Sequence, residues 1–158
     1  MYLSKKTYVK RWEHQTAKEK HNVTVNRGGQ PLTSVKTDRV SYVVEEIGYW
    51  RKANQIHAWF VDNVQDGVDD CKDYCVEIEK LKELLDICIE IKGLYVKNKQ
   101  KFREYATEKL PTRTGFFFGD DQYDDNYMYD INNTIEILQE IYNQEDQWFG
   151  DYTYQSSW

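Results

Sequence analysis

Three side chains able to do chemistry, Glu46, Asn54 and His57, fall inside one of the most apolar stretches of the chain, DRVSYVVEEIGYWRKANQIHAWFVDNV at residues 38–64. His57 is the natural general base, and that role requires solvent access and a proton donor within about 3.2 Å or one water. Asn54 lies three residues earlier, so on a helix the two side chains can touch. Glu46 is eleven residues from His57, about 16 Å along a helix rising ~1.5 Å per residue. These two cannot form a direct acid–base pair, and any shared site must be an elongated groove. A second group, Arg113 and Thr114 in the run TRTG, offers a guanidinium, hydroxyls and backbone N–H groups, the parts from which phosphate and carboxylate sites are built. With the Trp50 ring for stacking, Glu46, Trp50, Asn54, His57, Arg113 and Thr114 together outline a site for a small anionic, nucleotide-like ligand. Satisfied hydrogen bonding inside the core is the competing explanation for Glu46, Asn54 and His57, because buried polar groups cost about 1–3 kcal/mol each when left without partners.

The element expected to position this group is a long central helix over residues 38–64. On a helical wheel its apolar arc exceeds half the circumference, as expected of a helix wrapped by the rest of a domain. Trp59 falls at the middle of the polar side, opposite Trp50, and an exposed tryptophan marks a contact surface. Before this helix, the turn residues Asn26-Arg27-Gly28-Gly29 sit between alternating segments and predict a hairpin over residues 21–35. Pro31 confines its returning strand to an edge. After it, Tyr74-Cys75-Val76 reads as a short strand. Apolar positions Ile78, Leu81, Leu84, Leu85, Cys88 and Ile91 then mark helical structure over residues 78–109, with Gly93 a potential break and Leu110-Pro111 the stop. Ile131, Ile135, Leu138 and Ile141 mark a last helix over residues 127–143, and the tail carries strand character through Tyr152 and Tyr154. The expected fold is one α+β domain, residues 1–158, mainly α, with two or three helices packed on the central one and a small antiparallel sheet that includes the hairpin.

Composition narrows the partners. A net charge of −6 and a pI near 5.1 argue against extended nucleic acid, which selects basic surfaces. No run approaches the ~18–20 apolar residues of a membrane helix, and Lys5, Lys6, Lys10 and Arg11 interrupt any signal-like start. Three cysteines, Cys71, Cys75 and Cys88, suit reduced thiols in a cytosol. The acidic loop 62–73 fails as a calcium loop, with Val64 at a ligand position and Asp73 where a bidentate glutamate belongs. No metal, cofactor or catalytic motif is expected. Thirteen tyrosines, five tryptophans and six phenylalanines make stacking, a protein interface or a homodimer the available uses of surface.

Two segments, EEIGYWRKANQIHAWFVDNVQDG (residues 45–67) and LPTRTGFFFG (110–119), followed by YDDNY (123–127), resemble a family of small proteins encoded by bacteriophages and prophages. The resemblance brings no catalytic residues with it. It implies a virus-encoded, non-enzymatic accessory protein in the host bacterial cytoplasm, one that counters a host process such as antiviral defence. Capture of a nucleotide-like ligand and inhibition of a host protein through an aromatic, acidic surface including Trp59 are the two expected modes. A small hydrolase using His57 is the third.

Overall fold

The computed structural model describes residues 1–113, 122–144 and 150–157. Strand β1 (Tyr2–Tyr8) is followed by a hairpin of β2 (Asn26–Arg27) and β3 (Gln30–Pro31), then β4 (Tyr42–Tyr49) and helix α1 (Asn54–Asn63). Strand β5 (Tyr74–Val76) leads into α2 (Ile78–Lys97), α3 (Lys99–Lys109) and α4 (Asp125–Tyr142), and β6 (Asp151–Gln155) ends the order. The four longer-range strands form one antiparallel sheet ordered β4-β1-β6-β5. The chain is thus α+β, four helices against a small antiparallel sheet among the described residues.

The expected central helix does not exist as one piece. Residues 42–49 form an eight-residue strand, and only residues 54–63 are α-helical, after a short 3-10 turn at Thr37–Arg39. Tyr42-Val43-Val44 is rich in aromatic and β-branched side chains, which suit a pleated surface better than a helix. Gly48 supplies the second reason. A Cβ there would lie 2.8 Å from Ile137 Cγ2 and 3.3 Å from both Leu3 Cβ and the Trp50 ring, so the strand approaches α4 where only glycine fits. Lys52 then takes φ +62, a left-handed kink that turns the chain from sheet to helix. The predicted hairpin forms, with Gly28 and Gly29 at φ +59 and +78 in its turn, but its strands are two residues each and lie in a separate sheet. All four strand residues are exposed, so the hairpin has no apolar face with which to join the core.

Helical periodicity held elsewhere. In α2 the buried residues are Leu81, Leu84, Leu85, Cys88 and Ile91, and the helix runs through Gly93. It stops at Asn98, whose side chain accepts from Gln100 N and Lys101 N and so caps the start of α3. Asp124 caps α4 the same way, through Asn126 N and Tyr127 N at 2.9 and 3.1 Å. Along β1 the buried positions are Met1, Leu3 and Lys5, and register places Leu3 beside Tyr154 and Lys5 beside Tyr152, which in turn faces Val76. These side chains form the inner face of the sheet. Residues of the other phase, Tyr2, Ser4, Lys6 and Tyr8, form the outer face, away from every fully buried position of the strand.

Candidate functional site

The residues singled out by type and spacing separate into core and surface. Helix α1 begins without a side-chain cap and buries Asn54, Gln55, Ile56, His57, Ala58, Trp59, Phe60 and Val61. Its Phe60 ring stacks on Tyr154 of β6, centroids 3.9 Å apart and 7° from parallel. That contact seats the helix on the sheet and brings His57 to the same tyrosine. His57 Nδ1 lies 2.7 Å from Tyr154 Oη and Nε2 lies 3.1 Å from Asp69 Oδ2. An ionised Asp69 accepts only, which assigns the proton to Nε2 and lets Nδ1 accept from the Tyr154 hydroxyl. Burial holds the Tyr154 phenol well above its ordinary pKa, so it remains the donor. Tyr154 is wholly buried and His57 is 3% exposed. The Tyr–His–Asp chain resembles a relay, but its hydroxyl cannot meet a substrate.

Asn54 is also buried, and its Oδ1 accepts from the backbone N–H of Arg113 at 3.2 Å. The Arg113 guanidinium is turned outward and pairs with Asp62 of α1. Together these contacts dock the segment after α3 onto α1, which is a structural use of both residues. Trp50 Nε1 donates to Thr134 Oγ1 at 2.9 Å, and that hydroxyl donates to Asp130 O at 2.7 Å. The Trp50 ring is buried beside Phe60, centroids 5.9 Å apart, and offers no stacking face to a ligand. Glu46 makes none of these contacts and is exposed on β4 opposite Ser4. Its charge acts on the Met1 amine, whose pKa is lowered by burial and partly restored by Glu46. Thr114 lies outside the described residues. Trp59 corrects the wheel: it is 5% exposed, set edge-on to Phe60 at 5.3 Å, beside a small cleft that Leu110 and Pro111 also line.

Two surface features were not anticipated. The first is the outer face of the sheet. Register sets Tyr2 beside Tyr49, Lys6 beside Val44 and Tyr8 beside Tyr42. The Tyr2 and Tyr49 rings are 5.3 Å apart, and Tyr8 meets Tyr42 edge-on at 6.3 Å. Lys6 Nζ stands 5.1 Å from the Tyr8 ring centroid and 4.3 Å from that of Tyr42, inside cation–π range. Tyr8 Oη donates to Asp151 Oδ2 at 3.0 Å. Tyr8, Tyr42, Val44 and Tyr49 are each about half exposed. The signal was present as a period of two in Tyr2-Ser4-Lys6-Tyr8 and Tyr42-Val44-Glu46, and the helical reading of residues 38–64 concealed half of it.

The second is a cleft of about 370 Å³ where the chain enters α1, lined by Arg51, Lys52, Gln55, Tyr127, Tyr129 and Asp130, with Asn126 at its edge. Gln55 Nε2 donates to Asp130 Oδ2 at 3.1 Å. Burial pushes the Asp130 carboxyl up to about 6, against the lowering effect of that hydrogen bond. Tyr129 is largely exposed at the rim. Among the described residues no set of three or more His, Cys, Asp or Glu side chains converges as metal ligands, and no helix is long and apolar enough to cross a membrane. Cys71, Cys75 and Cys88 are free thiols. Comparison with protein-family models, characterised proteins and solved structures finds no match for this chain.

Proposed function

We propose that the protein is a non-enzymatic binding protein, encoded by a phage and acting in the host bacterial cytoplasm, that modulates a host process by docking a host protein on the tyrosine face of its sheet. The observation that carries this reading is the outer face itself, with Tyr8 and Tyr42 around Lys6 at one end and the Tyr2–Tyr49 pair at the other. Tyrosine brings large contact area and a polar tip at low entropic cost, which is why it is enriched in binding surfaces. The Tyr154–His57–Asp69 chain speaks against a hydrolase, since His57 is 3% exposed with both ring nitrogens engaged. The viral setting rests on the resemblance of residues 45–67 and 110–119 alone. The test is affinity capture from host lysate with wild-type protein and with Tyr42→Ala/Tyr49→Ala, both checked for unchanged circular dichroism. A host protein bound by wild type is expected to lose about 30-fold in affinity or more on removing two such anchors. A partner set that survives the double substitution unchanged would overturn the reading.

The cleft beside Arg51 and Lys52 favours a second reading, capture of a small anionic, nucleotide-like ligand. Arg51 and Lys52 would hold its phosphate and the exposed Tyr129 ring would stack on its base. Trp50, Asn54 and His57 are buried and hydrogen-bonded within the core, and the Arg113 guanidinium pairs with Asp62 at the surface, so this cleft is the better place for the ligand. A ligand at a hundred times its Kd stabilises by about 2.7 kcal/mol, which for a domain of this size raises Tm by roughly 5–10 °C. Such a shift with a cyclic or linear nucleotide, abolished by Arg51→Ala, is the expected result. No shift with any nucleotide would remove this reading and leave the first untouched.

A further inference from the structure

We infer that β4 is a pairing edge for a second copy of this chain, joined antiparallel across a two-fold axis at Val44. The inference does not depend on the tyrosine face having a host partner. Among the described residues β4 is bonded to β1 alone and forms one edge of the sheet. The phase of the ladder follows from one hydrogen bond. Val9 N donates to Ser41 O at 2.9 Å, and Val9 lies opposite Ser41 in the register that sets Tyr8 opposite Tyr42. Hydrogen-bonded and non-bonded pairs alternate along an antiparallel ladder. Ser41, Val43 and Glu45 therefore direct their backbone groups to β1. Tyr42, Val44 and Glu46 direct theirs outward, to the open edge.

Open edges are ordinarily protected by brevity, proline, lysine or a bulge. The opposite edge, β5, is three residues long. Strand β4 has eight residues with neither proline nor lysine among them, and Tyr42, Val43 and Val44 are 49%, 41% and 57% exposed. A register shift across from Leu3 and Ser4 leaves Ile47 as the extra residue and ends the regular edge there. What remains, residues 42–46, is symmetric about Val44.

Charge selects the occupant and its register. Val44 opposite Val44 sets Tyr42 opposite the second copy's Glu46 and Val43 opposite its Glu45, so no glutamate meets another. Sliding the strands until Glu45 meets Glu45, or Glu46 meets Glu46, places like charges directly across, which is destabilising. In the symmetric register the second copy's Glu46 arrives on the face of Tyr42, whose ring already carries Lys6 Nζ at 4.3 Å. Two Lys6–Glu46 contacts, one on each side of the axis, then close the seam as an isologous interface requires. The two tyrosine faces become one continuous surface.

Light scattering and sedimentation equilibrium on the full chain, from micromolar to sub-millimolar concentration, test this directly. The expected mass rises with concentration toward twice the 19.0 kDa of one chain. Val44→Pro removes an amide that β1 does not use and should raise the dissociation constant by at least ~10-fold. Lys6→Glu and Glu46→Lys should each weaken association by about 10-fold, since every seam contains the pair twice. Combining the two restores attraction and should recover most of the loss, an arm that decides the matter even if the proline variant does not fold. A monomer at every concentration, or a dimer indifferent to all of these changes, would overturn the inference. Because no host component is present, either outcome is separable from the fate of the tyrosine-face reading.

Discussion

Phe60→Ala is expected to lower the free energy of unfolding by about 3–5 kcal/mol, the range for truncating a buried aromatic ring. The figure belongs at the upper end for a stated reason. Phe60 is fully buried and touches three other rings, stacked on Tyr154 at 3.9 Å, edge-on to Trp59 at 5.3 Å and tilted against Trp50 at 5.9 Å. Those partners come from β6, α1 and the segment after β4, so the ring ties an inner strand and the exit of an edge strand to the helix. Each well-placed aromatic pair adds about 0.5–1.5 kcal/mol beyond area burial, and three rigid neighbours cannot all relax into one cavity. A domain of this size has about 5–15 kcal/mol in total. Urea unfolding followed by tryptophan fluorescence measures the effect, with Phe60→Leu as a volume-conserving control expected to lose about 1.5 kcal/mol or less. A loss below about 1 kcal/mol for the alanine variant would mean that α1 is not seated on the sheet as described.

The same ring shows what could be read in the chain and what could not. Helices α2 and α4 were legible because Leu81, Leu84, Leu85 and Cys88, and Ile131, Ile135 and Leu138, recur at the period of a single buried stripe. Tyr152 and Tyr154 were legible as a strand because their alternation matches one face of a sheet. Residues 42–49 were not. Once an apolar arc spans more than half a wheel, period no longer discriminates helix from strand, and aromatic and β-branched content becomes the better guide. The turn at Lys52 depends on a backbone angle that lysine does not announce. Strand β1 was hidden by its lysines. Lys5 points into the protein with its stem buried and Nζ donating to Gln144 Oε1 at 3.2 Å. Of the candidate site, the burial of Asn54 and His57 in apolar surroundings was legible. Their partners were not, since Tyr154 is 97 positions from His57 and Arg113 is 59 from Asn54. Local spacing carries no information at such separations.

Asp130→Asn is expected to stabilise the protein at neutral pH by about 1–2 kcal/mol, and the sign follows from proton linkage. Burial raises the carboxyl from its ordinary value near 3.8 to about 6 in the folded chain. Between those values the folded state binds the proton more tightly than the unfolded state does. Stability therefore falls as pH rises from about 4 to about 6, and at neutral pH the ionised acid is a net cost. The displacement corresponds to roughly 3 kcal/mol by the conversion of pKa to free energy, and water at the mouth of the cleft screens this to the smaller figure. Asparagine keeps an acceptor for Gln55 Nε2 and removes the charge, so the variant should also lose its share of the slope between pH 4 and 6. Guanidinium or urea titrations of both proteins at pH 4.5 and 7.5 measure this. Equal stability at pH 7.5, or a pH slope unchanged by the substitution, would show that Asp130 is not held in the low-dielectric setting its burial implies. If the cost is confirmed, the cleft that Arg51 and Lys52 line also carries an acid that folding alone does not require. Its ionised form would repel any anion offered to the same cleft.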